Sequence, residues 1–160
     1  MDLLQWLITT QLGEFIFTIL VSMLPVVELR GGIPFGLAAG LPPAKAFAAA
    51  FIGNMLPVPF LILFTRRLLT FLKDHVPLFR GAIACLERKV ERKKHLVLKY
   101  QALGLLLLVA VPLPGTGAWT GSLVAAAMDM RLSKAVPAIT GGVLAAGVII
   151  TFITHQVALF

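Results

Sequence analysis

The sequence predicts an all-α integral membrane protein, an inverted repeat in which each half has a re-entrant hairpin followed by a transmembrane helix. Three observations favour this fold class: an apolar composition, one strongly basic connection, and two apolar blocks interrupted by Gly and Pro. The 160 residues are 59% hydrophobic and 13% charged, whereas soluble domains carry about 25% charged residues. A chain of this length cannot bury so much apolar surface in one core, so lipid must solvate much of it.

The basic residues are concentrated between positions 66 and 99. Ten Lys or Arg and three acidic residues in that stretch leave +7, which equals the net charge of the whole protein. One basic connection between apolar blocks is typical of a cytoplasmic loop. Aromatic residues do not interleave with these charges as they would on a base-stacking surface, so we expect membrane lipids as partners and no nucleic acid.

Two apolar blocks are long enough to span a bilayer, which takes about 20 residues. They run from Ala44 to Phe64 and from Ala135 to about Val157. Each follows a break rich in Gly or Pro that is flanked by shorter apolar blocks. These shorter blocks are Leu3–Val27 and residues 28–43 in the first half, and Leu96–Val111 and Ala118–Met128 in the second. Because Leu3–Val27 is itself long enough to cross, a complete span there is the competing topology.

An internal repeat relates the two halves through a shift of 89 positions without gaps. The shift places Leu24-Pro25 on Leu113-Pro114, Gly32 on Gly121, Lys45-Ala46 on Lys134-Ala135, and Gly53 on Gly142. We therefore predict a single membrane domain over residues 1–160. It consists of repeat one at about 7–66, the basic connection at about 66–99 and repeat two at about 96–157.

The positions of the charges predict opposite orientations for the two repeats. The first full span ends at Arg66-Arg67, so it should run inward, and the loop with Arg131 and Lys134 should also be cytoplasmic. The last span would then leave the cytoplasmic side. Inverted repeats whose broken helices meet near the midplane are a recurrent transporter architecture, with the substrate bound at the breaks.

The first break is the segment LPVVELRGGIPFG, residues 24–36. Pro25 removes a backbone donor and Gly31-Gly32 permit conformations closed to other residues, so we expect the helix to stop here. Glu28 and Arg30 are ionisable groups within an apolar surround, which is costly and typical of a functional site. Arg30 presents a planar fork suited to phosphate or carboxylate, and Glu28 could pair with Arg30 or exchange a proton. A mutually neutralised pair that only holds the hairpin is the alternative.

The second break is the segment VPLPGTGAWTG, residues 111–121. Pro112 and Pro114 should end one helix, and the next should begin near Ala118. The N-terminus of that helix offers free N–H groups to an anion. The candidate site residues of this break are Pro114, Gly115, Thr116, Gly117, Trp119 and Thr120. A tight turn that only packs through small residues is the alternative.

Other polar residues carry weaker signals. Glu14 stands alone in an apolar stretch and either lies at the membrane interface or accepts a proton within the bundle. Asn54 is expected to bond a neighbouring helix rather than a ligand. We predict no catalytic residues, no metal ligands and no cofactor, because no Ser/His/Asp arrangement, metal-binding cluster or nucleotide-binding loop occurs.

The two breaks also resemble those of a known family. ELRGGIPFG and PLPGTGAWTG, separated by a basic connection, are similar to segments of the small multidrug export family of prokaryotic membrane proteins. That family is distantly similar to the DedA, or VTT-domain, superfamily, which is associated with opposed re-entrant hairpins and with recycling of undecaprenyl phosphate. The resemblance implies a multi-pass protein of the bacterial or archaeal inner (cytoplasmic) membrane and an essential acidic role for Glu28. It does not carry over the arginines of DedA's second hairpin, because Thr116, Trp119 and Thr120 occupy that region here.

Three functions remain open from the sequence. The leading hypothesis is a flippase-like translocase for an amphiphilic anion, such as a polyprenyl phosphate lipid carrier, coupled to a proton or ion gradient through Glu28. The second is a proton-coupled exporter of small cationic or hydrophobic compounds, and the third is a membrane scaffold that transports nothing. The expected partners are membrane lipids and a phosphate-bearing lipid or small amphiphilic substrate, and a homodimer is left open.

Overall fold

The computed structural model describes residues 10–75, 94–113 and 115–157. Helices form the secondary structure in these ranges, which confirms the all-α prediction at that level. In chain order they are α1 (Gln11–Ser22), α2 (Glu28–Ala38), α3 (Pro43–Met55), α4 (Val58–His75), α5 (Lys94–Ala110), α6 (Ala118–Ala127) and α7 (Leu132–Val157). Most of the basic connection, residues 76–93, lies outside the described residues, as does Pro114.

Helix α1 is a half-length helix with defined ends. It begins where the Thr10 side chain accepts a hydrogen bond from the Gly13 amide at 3.1 Å, and it ends at Ser22. Its 12 residues measure about 18 Å at 1.5 Å per residue, well short of the roughly 30 Å of hydrocarbon in a bilayer. The described part of Leu3–Val27 therefore contains a short helix followed by a break.

The first break is shorter than the sequence predicted. It covers residues 23–27, and α2 then runs from Glu28 through Gly31-Gly32 to Ala38. The prediction that the two glycines interrupt the helix was wrong, because both lie within α2 at ordinary helical geometry. Gly32 instead permits close packing, since a Cβ there would meet the Ser22 hydroxyl and the Ala50 side chain.

The first long apolar segment is also longer than predicted. Helices α3 and α4 together give an apolar stretch, Pro43–Leu72, long enough to cross a membrane, with a turn at residues 56–57. The helix continues beyond Arg66-Arg67 to His75, whereas the sequence suggested an end near Phe64. Pro57 explains the turn, because proline lacks the amide hydrogen that a continuous helix would need at that point.

The second half agrees closely with the predicted boundaries. Helix α5 ends at Ala110, α6 begins at Ala118, and α7 contains the second apolar stretch, Leu132–Thr154, that is long enough to cross a membrane. Each short helix packs against a long helix of the other half: α2 contacts α7, and α6 contacts α4. The two halves are therefore interlocked rather than placed side by side.

Backbone geometry repeats at the same spacing of 89 residues as the sequence. Glu28 and Gly117 have φ angles of 50° and 137°, and Gly40 and Asp129 have φ angles of 101° and 49°. The first pair precedes or opens the two short helices, and the second pair ends them. The hydrogen bond from the Leu41 amide to the Gly36 carbonyl is matched by that from Met130 to Ala125, both 2.9 Å.

Many buried residues are small, and many large apolar residues are exposed. Alanines of α3 and α7, among them Ala46, Ala50 and Ala135, are fully buried, whereas Phe60 and Phe152 are 68% and 66% exposed. An exterior of this kind would be unfavourable in water but suits lipid. Small buried residues let helix backbones approach closely, which is how membrane helices associate.

Two glycines 89 residues apart should be intolerant of any side chain. A Cβ at Gly53 would meet the Ile19 carbonyl, and one at Gly142 would meet the Leu106 carbonyl and Val109. Backbone atoms cannot move aside, so Gly53→Ala and Gly142→Ala should each lower stability by about 1–3 kcal/mol. Thermal unfolding in detergent measures this loss. Gly104→Ala is the matched control, because a Cβ there meets nothing within 4 Å. Equal melting temperatures for all three variants would contradict the packing.

Candidate functional site

The two breaks lie against each other, and the charged residues of α2 join them. Glu28 and Arg30 occupy the first turn of α2. Arg30 donates to the segment between α5 and α6, and Glu28 accepts a hydrogen bond from the first turn of α6. More than 80 residues of sequence separate the partners. The structure thus brings together the candidate residues that the sequence placed in two distant motifs.

Glu28 is buried and lies at the N-terminus of α6. Its Oε1 accepts a hydrogen bond from the backbone amide of Trp119 at 3.3 Å, and the side chain is only 6% exposed. Free N–H groups and the helix dipole favour a negative charge at this position. A left-handed φ of 50° is uncommon for a residue with a side chain and costs about 1–3 kcal/mol when the surroundings enforce it.

Gly117 leaves room for the Glu28 carboxyl group. A Cβ at Gly117 would meet both carboxyl oxygens of Glu28, and its φ of 137° is a conformation that only glycine adopts readily. The sequence singled out Gly117 as part of a turn. The structure adds that its missing side chain makes space for a group from the other half of the chain.

Arg30 binds the end of α5 rather than Glu28. Its guanidinium donates to the carbonyls of Val111, at 3.2 Å, and Leu113, and to the Thr116 hydroxyl at 2.8 Å. These carbonyls lie just past the C-terminus of α5, where free acceptors and the helix dipole favour a positive charge. The fork that the sequence assigned to a substrate anion is therefore occupied by the protein's own backbone in this conformation.

The remaining polar groups of the second break are also satisfied internally. Thr116 Oγ1 lies 2.8 Å from the carbonyls of both Val111 and Leu113, and the Thr120 hydroxyl donates to the Gly115 carbonyl at 2.8 Å. The Trp119 indole donates to the carbonyl of Met23, the residue after α1, at 3.2 Å. Side chains of the first half thus cap helix ends of the second half, and the Trp119 side chain of the second half caps a helix end of the first.

A small cavity lies beside this contact. Its volume is about 10 Å³, roughly enough for one water molecule, and its lining includes Glu28, Arg30, Asn54 and Gly117. Asn54 is 2% exposed, and its Oδ1 has no hydrogen-bond partner among the residues that the structure describes. The expectation that Asn54 bonds a neighbouring helix is not met by this oxygen.

Not every candidate residue reaches the cavity or the contact between the breaks. Glu14 lies on α1 near Gly40, at the turn that follows α2, and so at the far end of the α1–α2 pair from the break. Gly31 faces Val27 of its own segment, and a Cβ added at Gly115 would meet no atom of the described residues within 4 Å. Sequence reasoning missed Met23, Val111 and Leu113, because they take part through backbone carbonyls that residue type does not reveal.

Electrostatic interactions hold the two breaks together at their junction. The Glu28 carboxylate lies at the positive N-terminal end of α6, and the Arg30 guanidinium lies at the negative C-terminal end of α5. Each charge is therefore stabilised by the helix dipole that it faces. Charge-assisted hydrogen bonds of this kind are stronger than neutral ones, especially away from water. Opening the junction would leave Glu28 and the helix ends without partners, unless water or a ligand replaces them.

The contact between Gly117 and Glu28 can be measured with a double-mutant cycle. Gly117→Ala should destabilise the wild type more than it destabilises Glu28→Ala, because truncation of Glu28 removes the atoms that the new Cβ would meet. We expect an interaction energy of at least about 1 kcal/mol from unfolding in detergent. Gly115→Ala is the control: its φ is 81° but no neighbour is near, so its cost should be equal in both backgrounds. A similarly equal cost for Gly117→Ala would refute the contact.

Comparison with known proteins identifies the class of the chain. The model of the family described as "Putative small multi-drug export protein" matches residues 28–149, a range that starts at Glu28 and contains both charged residues of α2 and the whole second break. Neither a curated protein sequence nor a solved structure matches the chain. The similarity to the DedA superfamily stays a prediction. The family match and the two long apolar helices indicate a membrane protein of the export class rather than an enzyme class. Because the match covers more than half of its length, the chain belongs to the small multi-drug export family.

Proposed function

We propose that the protein is a proton-coupled exporter of small lipophilic cations, in which a proton and the cation compete for the Glu28 carboxylate. The observation that carries the proposal is the position of Glu28: a buried acidic side chain held at the junction of the two breaks. An ionisable group within a membrane-embedded bundle is costly, and it is a functional candidate by default. The family description, which names export, supports the same conclusion.

The exchange follows from the charge of Glu28. The ionised carboxylate is attracted to the N-terminus of α6, and protonation weakens this attraction because the neutral form carries no charge for the dipole to stabilise. A lipophilic cation that enters the junction would likewise draw the carboxylate away from the Trp119 amide. Proton and cation therefore both favour release of the contact, and each excludes the other from Glu28.

An amphiphilic anion is the second candidate substrate. The hydrogen bond from Trp119 to Glu28 supports it, since this helix N-terminus already holds an oxyanion, supplied by the protein itself. A phosphate headgroup would have to displace Glu28 from Trp119 and the carbonyls of Val111 and Leu113 from Arg30. Because those donors are occupied, we rank the anion, including a polyprenyl phosphate carrier, below the cation.

The inverted repeat with re-entrant hairpins is the architecture that we propose for the exchange. Two observations support it: the backbone conformations that recur 89 residues apart, and the short α1 and α6, which cannot cross a bilayer alone. Arg66 of α4 donates to the Met130 carbonyl at 2.6 Å and lies 3.2 Å from the Asp129 carboxylate. The part of α4 around Arg66 therefore adjoins the start of the second long segment, as expected for antiparallel spans with a shared cytoplasmic side.

The proposed orientation predicts the accessibility of single cysteines. In intact cells, Cys85 in the basic connection should be blocked only by reagents that reach the cytoplasm. Ala158→Cys in a Cys85→Ser background should react with impermeant reagents from the outside, because the last span exits outward. Cytoplasmic labelling of Ala158→Cys would contradict the inverted arrangement.

The sign of the substrate separates the two transport candidates. Proteoliposomes that contain the protein should accumulate tetraphenylphosphonium when a pH gradient is imposed. Glu28→Gln should reduce this uptake at least about tenfold. Such a loss corresponds to about 1.4 kcal/mol, well within the value of a charged interaction in a poorly hydrated site. Polyprenyl phosphate should compete no better than its uncharged alcohol.

Two further variants control this assay. Thr140→Val removes a hydroxyl that donates to the Val136 carbonyl of its own helix, so uptake should stay at the wild-type level. Arg30→Gln should weaken the junction, but in this variant too polyprenyl phosphate should compete no better than its uncharged alcohol. If polyprenyl phosphate competes strongly and Arg30→Gln abolishes that competition, the anion is the substrate and the cation proposal is wrong. Folded protein that moves neither compound would favour the scaffold function.

A further inference from the structure

Asn54 presents an unusual polar atom to the interior of the protein. Its Oδ1 is buried and has no partner within the described part of the chain, whereas nearly all buried polar atoms in proteins have one. A buried acceptor without a partner is destabilising because its desolvation is not offset by a hydrogen bond. Asn54 follows Gly53 at the close crossing of α3 over α1, so the backbone that carries it has little freedom to turn away.

A hydrogen-bond donor to Asn54 Oδ1 can occupy the cavity that Asn54 lines. Glu28 lines the same space, and the other lining residues besides Arg30 are apolar or glycine: Leu29, Val109, Gly117, Ala118, Val143 and Ala146. The cavity volume of about 10 Å³ is enough for about one water molecule. A water with a carboxyl group and an amide oxygen as neighbours has the polar partners that an ordered buried water needs.

We infer that Glu28, one water molecule and Asn54 form a proton-loading site, in which Asn54 Oδ1 accepts a hydrogen bond from the water that solvates the Glu28 carboxyl group. This inference rests on the proposed exchange at Glu28 and assigns Asn54 as its positioning residue. The proton arrives as hydronium, transfers to the Glu28 carboxylate and leaves a neutral water behind. The resulting carboxyl O–H donates to that water, whose own O–H donates to Asn54.

The composition of the site favours a proton over a metal cation. A sodium ion would need several oxygen ligands, but the side chains of the described lining offer three oxygens, the two of the Glu28 carboxyl group and Asn54 Oδ1. Arg30 is the other charged residue of the lining, and its guanidinium has no acceptor atom, so it cannot act as a ligand to a metal ion. Its guanidinium is held by Val111, Leu113 and Thr116, so it remains beside the cavity when Glu28 becomes neutral.

Infrared difference spectroscopy of the full-length protein in lipid tests the site directly. A carbonyl stretching band of protonated Glu28 should appear on acidification and be absent in Glu28→Gln. In Asn54→Leu, which removes the acceptor and fills the cavity, the band should move to higher frequency because the carboxyl group loses its hydrogen-bonded water. Proton-driven uptake of tetraphenylphosphonium should fall about tenfold, the equivalent of one lost hydrogen bond of about 1.4 kcal/mol.

Companion variants make the outcome decisive. Asn54→Ala removes the same acceptor without added bulk and should shift the band even if Asn54→Leu folds poorly. Thr18→Val, which loses a buried hydroxyl bonded to the Glu14 carbonyl, should leave the band in place. An unshifted Glu28 band in both Asn54 variants overturns the role of Asn54 but leaves the Glu28 exchange intact. The same measurements are repeated with choline in place of sodium in the buffer. If the Glu28 band or the uptake requires sodium, the proton-loading site is wrong.

Discussion

The structure depends on a contact between charges and helix ends that links the two halves of the chain. Glu28 lies at the N-terminus of α6, and Arg30, two residues later, holds the carbonyls that follow α5. In water such interactions are weak, but in an apolar surround each free helix end and each charge must find a partner. The broken helices are therefore possible only because each break supplies the groups that the other lacks.

The same constraint explains the composition of the interior. The charged turn of α2 reaches the second break only because small residues let the surrounding helices approach closely. Gly32, Gly53 and Gly142 lie at crossings where a Cβ would meet a neighbour, and alanines fill much of the remaining core. Large apolar side chains then lie outside, where lipid can solvate them. The described helices thus combine a polar junction, closely packed small residues and an apolar exterior.

Much of this architecture could be predicted from the sequence. The apolar blocks, the 89-residue repeat and the start of α6 at Ala118 follow from hydropathy and from Gly and Pro positions. The sequence could not show that Gly31-Gly32 serve packing within a helix, because glycine permits both a break and a close contact. Nor could it show that Arg30 binds backbone carbonyls or that Asn54 Oδ1 is unpaired, since both depend on contacts between distant segments. Candidate residues of the two breaks do meet, but their hydrogen-bonding groups bind one another and nearby backbone atoms rather than an open substrate site.

The backbone amide of Trp119 offers the most direct measurement of the central claim, because it donates to Glu28 across the junction. Nuclear magnetic resonance of the ¹⁵N-labelled protein can follow its exchange with solvent. The account predicts slow exchange in the wild type at neutral pH, and faster exchange both in Glu28→Ala and on addition of tetraphenylphosphonium. The Gly121 amide, bonded within α6 to the Gly117 carbonyl, should change little and serves as the internal reference. Exchange at Trp119 that is the same in all three conditions would contradict a junction held by Glu28 and opened by the transported cation.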